Sequence, residues 1–193
     1  MPPGRGRMVA MIGTDLALDV IARTVADLVV DVANDNSREQ IVLSGLADDV
    51  RRAEARLAPL ATRLVTLDVS APFHSRLMAG IEPAFAAVLC ESSPTLVAER
   101  AATVTANVTG GFHHPDPDAM VDRLIRQISG TVRWRDNMEA LRPHGARVLE
   151  IGPAAPLRGF FRTVGVAVEP LTSVRALARL DARRTQPGAE ATT

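Results

Sequence analysis

Three apolar runs near the start of the chain have the length and the residue types of β-strands. Residues 7–13 (RMVAMIG) form the first run, and residues 29–34 and 40–45 form two more that are rich in Val, Ile and Leu. The turn-forming residues 35–39 (DNSRE) separate the second run from the third. The pattern therefore predicts a strand that is followed by a β-hairpin.

Two amphipathic segments alternate with these strands. After Thr14, which can cap a helix, apolar residues recur at helical spacing at Leu18, Ile21, Val25 and Leu28. Residues 46–60 form the second segment, whose inward face carries Val50, Ala53, Leu57 and Leu60. A fourth strand is predicted at residues 63–69. The order βαββαβ predicts a ferredoxin-like small subdomain over residues 7–69.

The second half has shorter predicted elements and forms a further α/β part over residues 70–174. A helix after residue 75 carries an apolar face and has Pro83 at its first turn or a kink. The other predicted elements are a strand at 102–108, a loop at 109–118, helices at 119–129 and 133–142, a strand at 146–151 and a helix at 157–164. Residues 175–193 predict a weak helix and a disordered tail.

Composition narrows the classes of function. The chain has 193 residues, of which 47% are hydrophobic, so it is long enough to bury a core. Its 22 basic residues are balanced by 22 acidic residues, which excludes a strongly basic nucleic-acid-binding protein. The single cysteine, Cys90, excludes an internal disulfide, and the apolar stretch at residues 8–12 is too short to cross a bilayer. We therefore expect a cytoplasmic protein that binds neither nucleic acid nor membrane.

Six segments occur in one order along the chain. They are RMVAMIG (7–13), VANDNSREQIVLSG (32–45), VSAPFHSRLM (69–78), TANVTGG (105–111), RQISGTVRW (126–134) and LEIGPAAPLRGFF (149–161). Over residues 7–165 this succession resembles the malonyl-CoA:acyl carrier protein transacylases and the acyltransferase domains of polyketide synthases. The resemblance implies a ferredoxin-like small subdomain and an α/β hydrolase-like large subdomain, of which residues 70–174 are only the C-terminal part.

The resemblance also implies a two-step acyl transfer. In the family, a serine takes the malonyl group from coenzyme A as an ester and passes it to the phosphopantetheine thiol of the acyl carrier protein. His74, in the segment VSAPFHSRLM, matches the family's base, and an imidazole suits this role since it takes up and returns a proton near neutral pH. Gln127 matches the residue that orients this histidine, largely through its main-chain carbonyl. The substrates are malonyl-CoA and the carrier protein, and no cofactor or metal is implied.

Three further residues are candidates for substrate binding. Phe73 matches the position that accompanies the selection of malonyl over methylmalonyl, since a bulky ring leaves no room for a branching methyl group. Asn34 and Asn36 match two asparagines near the cleft, where an amide can bind the substrate or the wall of the site. The alternative role for both asparagines is turn chemistry beside the hairpin.

The nucleophile of the family has no counterpart in this sequence. No serine lies in a G-x-S-x-G motif, and the G-Q-G strand and the arginine that binds the malonyl carboxylate are also absent. One hypothesis is that a separate chain, or sequence upstream of Met1, supplies these groups to an S-malonyltransferase of fatty acid or polyketide biosynthesis. The alternatives are a non-catalytic remnant that binds a carrier protein or partner subunit, and an unrelated ferredoxin-like binding module.

The remaining polar candidates have structural interpretations. A solvated loop, and no metal site, is predicted from the spacing of His113, His114, Asp116 and Asp118. Cys90 is predicted to be buried as a small hydrophobic residue. A solvated helix face, which an acidic carrier protein could also meet, is predicted at Arg51, Arg52 and Arg56.

Part of the apolar surface is predicted to lack its usual cover. The strands of a parallel sheet are normally covered on both faces. Without the central strands of the large subdomain, exposed apolar surface is expected around Ile81, Phe85, Leu124, Ile128 and Leu149. We therefore expect the isolated chain to associate.

Overall fold

The first part of the chain forms a four-stranded antiparallel sheet. The computed structural model describes residues 5–92 and 96–178, which divide into two compact units between residues 140 and 141. The strands of this sheet are β1 (Gly6–Ile12), β2 (Val30–Ser37), β3 (Gln40–Leu46) and β4 (Arg63–Thr66). Their order is β2-β3-β1-β4, so β1 pairs with β3 on one side and with β4 on the other.

Two helices, α1 (Leu18–Thr24) and α2 (Ala47–Leu57), cover one face of this sheet. Successive side chains of β1 point to opposite faces, so Val9 and Met11 join the helix-covered core while Met8 and Ala10 join a smaller cluster. The main core is completed by buried residues of both helices and of the neighbouring strands, including Ile21, Ile41, Leu43, Val50 and Leu57. The apolar periodicity of the sequence therefore corresponds to burial in this part of the chain.

The start of α1 differs from the prediction. Ala17, and not Thr14, is the N-cap residue, because backbone bonds tie residues 13–16 to the hairpin turn. Gly13 N donates to Glu39 O at 3.1 Å, and Leu16 N donates to Arg38 O at 2.6 Å. The fourth strand is also shorter than predicted: it ends at residue 66, and the chain then runs toward the buried Pro72.

The rest of the first unit consists of short helices and one small hairpin. A 3₁₀ segment (Arg76–Ile81) leads into α3 (Glu82–Ser92), which has Pro83 in its first turn, as predicted. The following elements are α4 (Ala98–Ala101), β5 (Thr105–Ala106), β6 (Gly111–Phe112), α5 (Pro117–Arg126) and α6 (Trp134–Leu141). Asp116 caps α5 by accepting a hydrogen bond from Ala119 N at 2.9 Å.

The predicted strand at 102–108 and the predicted loop at 109–118 are both wrong in part. Only Thr105–Ala106 is extended, and it pairs with Gly111–Phe112 inside the predicted loop. The chain reverses because Gly110 N donates to Ala106 O at 2.9 Å, with Gly110 in the left-handed region at φ 71°. A Cβ on Gly110 would lie 2.4 Å from Asp136 Cβ, so this turn accepts only glycine.

The second unit contains two parallel strands joined by a helix. Its elements are a 3₁₀ segment (Arg142–His144), β7 (Val148–Ile151), α7 (Arg158–Thr163) and β8 (Val168–Leu171). The carboxylate of Glu150 accepts hydrogen bonds from Leu157 N at 2.8 Å and Arg158 N at 3.0 Å, which satisfies the start of α7. The sequence pattern missed β8, because its short run contains Pro170. Most of the weak helix and tail predicted at 175–193 lies outside the described residues.

Several large apolar side chains are exposed where the sequence predicts missing cover. α3 has no buried residue: Ile81 just before it is 50% exposed, and Val88 within it is 59% exposed. Phe85, Leu124 and Leu149 are exposed as well, whereas Ile128 is half-buried. Among the described residues, no helix combines the length and the hydropathy that crossing a membrane requires.

A leucine truncation in the main core should cost far more stability than the same truncation at the surface. Leu43 is fully buried, so Leu43→Ala should lower the free energy of unfolding by about 2–5 kcal/mol. The matched control is Leu60→Ala, because Leu60, predicted on the inward face of the second amphipathic segment, lies beyond the end of α2 and is 48% exposed; its cost should stay within about 0.5 kcal/mol. Urea unfolding followed by circular dichroism measures both values. Equal losses for the two variants would contradict the assignment of the core.

The exposed apolar residues should make the isolated chain associate. Light scattering over a concentration series should show a mass above the 20.6 kDa of the monomer. Replacing Ile81, Phe85 and Val88 with serine should shift the equilibrium toward monomer. Asp48→Ser with Arg51→Ser is the control, because both residues are exposed and polar, and it should leave association unchanged. A monodisperse monomer for the unmodified chain would show the prediction to be wrong.

Candidate active site

His74 lies in a tight turn between the sheet and the 3₁₀ segment. Its backbone is in the left-handed region, with φ 55°, which is uncommon for a residue with a side chain. Two bonds close the turn around it: Ser75 Oγ donates to Pro72 O at 2.6 Å, and Phe73 N donates to Ala71 O at 2.9 Å. Pro72 and Ser75 are buried and His74 is half-buried, so buried residues anchor the turn while His74 itself stays partly exposed.

The ring of His74 contacts the main chain of Gln127. Nδ1 of His74 lies 3.0 Å from Gln127 O, and a carbonyl oxygen can only accept a hydrogen bond. Nδ1 therefore carries the proton in the neutral ring, and Nε2 carries the lone pair. The side-chain Nε2 of Gln127 also lies 3.3 Å from His74 Nδ1, but at the same distance it donates to Gly130 O. The shorter carbonyl contact decides the tautomer.

The end of α5 holds the Gln127 carbonyl in place. Gln127 is the C-cap residue of α5, and its backbone N–H donates to Arg123 O at 3.0 Å. Gly130 N then closes the turn on Arg126 O at 2.8 Å. A Cβ on Gly130 would lie 2.6 Å from the same carbonyl, so glycine is required there. The chain can therefore leave the helix sharply and run toward the sheet.

Residues 131–133 attach this turn to the outer edge of β2. Val132 N donates to Ala33 O at 2.8 Å, and Asp35 N donates to Val132 O at 2.9 Å. The hydroxyl of Thr131 adds a bond to Val32 O at 2.7 Å. The predicted site residues Asn34 and Gln127 are thus linked through one short segment, because Asn34 pairs with Val132.

A partly buried ion pair reinforces the same junction. Arg135 Nη2 lies 2.7 Å from Asp35 Oδ1 and donates to Ser37 O at 2.8 Å. Burial raises the pKa of the Asp35 carboxyl, and the positive charge of Arg135 opposes that rise. The sequence pattern does not indicate this pair, since the two residues are 100 positions apart and each has the pattern of an ordinary surface residue.

The two asparagines have different environments. Asn36 Nδ2 donates to Gln40 Oε1 at 2.8 Å, which is the turn chemistry of the hairpin. Asn34 is half-buried, and its side chain makes no hydrogen bond with the residues that the structure describes. Phe73 is 40% exposed and directly precedes His74. The structure therefore leaves the side chains of Asn34 and Phe73 available, whereas the Asn36 amide nitrogen already has a partner.

A second polar pair, which the sequence pattern does not indicate, joins the β5–β6 hairpin to α6. Asn137 is fully buried and its Nδ2 donates to Asn107 Oδ1 at 2.8 Å. Arg133 N donates to Asn107 O at 2.7 Å. The segment TANVTGG thus supports the chain that follows Gln127 through Arg133 and Asn137, a role that its local pattern does not indicate.

The other sequence candidates lie outside this arrangement. Arg51, Arg52 and Arg56 each pair with an aspartate, respectively Asp48, Asp49 and Asp27, so the face predicted for an acidic partner is largely neutralised. The contact with Arg56 lowers the pKa of Asp27 to about 2. Cys90 is exposed, which corrects the prediction that it is buried; no residue of α3 is buried, although the helix packs against α5. No metal-binding cluster occurs in residues 5–92 and 96–178.

Known proteins resemble this chain in amino-acid sequence. No family model matches the chain. It is 40% identical over 136 residues to a malonyl CoA-acyl carrier protein transacylase of Synechocystis, covering 66% of this chain and 42% of that protein. It is 34% identical over 163 residues to the polyketide biosynthesis protein ThaF of Burkholderia thailandensis, covering 82% of this chain and 14% of that protein. The chain therefore spans less than half the length of either protein.

Experimentally solved structures share the fold of this chain as well. The chain superposes with a TM-score of 0.77 and 28% identity on a chain of the complex between a type II polyketide acyl carrier protein and its malonyl-transacylase. That match covers 92% of this chain and 58% of the other. Over most of its length, the chain therefore shares sequence and fold with the malonyl-CoA:acyl carrier protein transacylases and polyketide biosynthesis acyltransferases, the family that its motifs predict.

Proposed function

We propose that this chain provides the base of a malonyl transfer from coenzyme A to the phosphopantetheine thiol of an acyl carrier protein. The observation that carries the proposal is the contact between His74 Nδ1 and Gln127 O at 3.0 Å. Because that contact places the proton on Nδ1, the lone pair of Nε2 is the basic site of the ring. His74 is half-buried and so is not enclosed in the core, which is compatible with this role.

The chemistry requires one base and one nucleophile. His74 Nε2 takes the proton of a serine hydroxyl as its oxygen attacks the malonyl thioester, and the imidazolium returns the proton to the departing coenzyme A thiolate. In the second half, His74 takes the proton of the phosphopantetheine thiol, whose sulfur attacks the malonyl ester, and the serine oxygen regains the proton. The net reaction exchanges one thioester for another and consumes no cofactor.

The nucleophile belongs to another part of the complete enzyme. The 193 residues contain no G-x-S-x-G motif, and the transacylase relative from Synechocystis is more than twice as long as the matched region. We propose that the serine, the oxyanion donors and the arginine for the malonyl carboxylate come from a partner chain or from a longer polypeptide. The exposed apolar residues of α3 support this, since they present a surface that such a part can cover.

We propose that Phe73 and Asn34 contribute to the binding of the substrate. Phe73, with 40% of its surface exposed next to His74, is proposed to exclude a branching methyl on the acyl group. Asn34, whose amide makes no hydrogen bond with described residues, is proposed to bind the substrate or the wall of the site. Asn36 is proposed only as a support of the hairpin, because its amide nitrogen bonds to Gln40.

The fold supports a division into subdomains. The antiparallel order β2-β3-β1-β4 with two helices on one face is the arrangement expected of a ferredoxin-like small subdomain over residues 7–69. Residues 70–174 are proposed to be the C-terminal part of an α/β hydrolase-like large subdomain, and their parallel pair β7–β8 is compatible with it. A non-catalytic role in binding a carrier protein or partner subunit is the second candidate, favoured by the absent nucleophile motif.

Labelling with radioactive malonyl-CoA should separate the two candidates. The purified chain alone should take up no covalent label, whereas adding the N-terminal part of a related transacylase should give an ester on the added serine. His74→Ala should slow that labelling by about 10²–10⁴-fold, the usual contribution of a general base. His114→Ala is the matched control, because His114 is exposed in a loop, and it should label at the normal rate.

The outcomes of this labelling have distinct meanings. Label on this chain alone would contradict the proposal that its nucleophile lies elsewhere. Absence of label with a fragment that binds the chain tightly would favour the non-catalytic role. Equal rates for the His74→Ala and His114→Ala variants would remove His74 as the base.

Shortening Phe73 should relax the selection of the acyl group. In the complemented reaction, Phe73→Ala should lower the preference for malonyl-CoA over methylmalonyl-CoA by about 10-fold or more, the range that one methyl group commands in a pocket. Phe73→Leu is the conservative control, and it should retain most of the preference. Competition between the two labelled substrates measures the ratio. An unchanged ratio in Phe73→Ala would show that this ring does not contact the acyl group.

A further inference from the structure

The turn that carries His74 needs support on its C-terminal side. A left-handed backbone costs a residue with a side chain about 1–2 kcal/mol, so the surrounding contacts must hold it. On the N-terminal side, Ser75 Oγ bonds to Pro72 O, and the ring itself bonds to Gln127. The chain leaves the turn at Arg76, where the 3₁₀ segment begins.

Asp31 of β2 binds Arg76 through both its backbone and its side chain. Asp31 Oδ2 accepts from Arg76 N at 2.8 Å, while Oδ1 accepts from Nε at 2.9 Å and from Nη2 at 2.6 Å. These hydrogen bonds are charge-assisted, and together they hold Arg76 by its backbone amide and by its guanidinium, whereas a simple surface ion pair holds only the charged group. The same contact raises the pKa of the Arg76 guanidinium.

This pair differs from other ion pairs of the molecule in what it connects. Pairs such as Arg23–Asp19 and Arg52–Asp49 join residues three or four positions apart on one helix, so they reinforce only that helix. Asp31 and Arg76 are 45 positions apart, and the bond to the Arg76 amide fixes the backbone two residues after His74. The sheet is thereby tied directly to the turn.

We propose that Asp31 is a positioning residue for His74 and acts through Arg76. By holding the exit of the turn against β2, it keeps the ring where Nδ1 reaches Gln127 O and therefore keeps the lone pair on Nε2. The use of that lone pair as a base rests on the proposed function. The geometry of the ring does not, and it can be measured without any substrate.

The test is the tautomer of His74 in the full chain labelled with ¹⁵N. Long-range ¹H–¹⁵N correlation spectra, recorded at a pH where the imidazole ring is neutral, should show the Nδ1–H form in the unmodified protein. Asp31→Ala should convert it to a mixture with the Nε2–H form and should speed exchange of the Arg76 amide hydrogen at least tenfold. Asp31→Asn retains an acceptor for that amide, so it should preserve the Nδ1–H form and rescue most of the effect.

Matched variants make the result decisive. Asp15→Ala breaks the exposed ion pair between Asp15 and Arg38, and it should leave both the tautomer and the Arg76 amide unchanged. Arg76→Ala removes only the guanidinium contacts and should give a partial shift of the tautomer. If Asp31→Ala does not fold, Arg76→Ala serves as the test of the positioning role. The proposal is overturned if Asp31→Ala, or Arg76→Ala in its place, matches Asp15→Ala in both measurements.

Failure of malonyl transfer would not produce either of these outcomes. Loss of labelling in the complemented reaction with a normal His74 tautomer would count against the proposed function alone. A normal labelling rate with an unshifted tautomer in Asp31→Ala would count against the positioning role alone.

Discussion

The hydrogen bond between the ring of His74 and the main-chain carbonyl of Gln127 is the interaction on which the candidate site depends. It joins two turns that are 53 positions apart, and it decides which ring nitrogen carries the proton. A main-chain carbonyl is a dependable partner, because its position follows from the path of the backbone and not from a side-chain rotamer. The site therefore inherits the rigidity of the elements that carry these two turns.

Each turn is held by strand β2 through a different contact. Val132 docks on the outer edge of β2 and thereby fixes the chain that leaves Gln127. Asp31, on the same strand, binds Arg76 and thereby fixes the chain that leaves His74. One strand thus locates both partners of the hydrogen bond, and the left-handed backbone of His74 is held by contacts made elsewhere.

The predicted elements agree best with the structure in the region where the apolar side chains are buried. The elements from β1 to β4 agree in order and type because helices cover one face of their sheet, so apolar periodicity there reports real burial. The agreement weakens after residue 75. α3 has no buried residue, although it packs against α5; the strand predicted at 102–108 shrinks to Thr105–Ala106, and Cys90 is exposed. Apolar patterning indicates which residues need cover, but it does not indicate whether cover is present.

The sequence by itself determined the order of the motifs, the identity of His74 and Gln127 as candidates, and the absence of a G-x-S-x-G nucleophile from these 193 residues. The order and the absence are properties of residue type and spacing along the chain, whereas His74 and Gln127 are candidates because their motifs resemble those of the transacylases. Only the tertiary structure decided which nitrogen of the His74 ring carries the proton. It also decided that the Asn36 side chain bonds to Gln40 and that Asp31 supports the turn at Arg76. These depend on hydrogen bonds whose geometry, often across tens of positions, arises when the chain folds, and local patterns of residues contain no record of them.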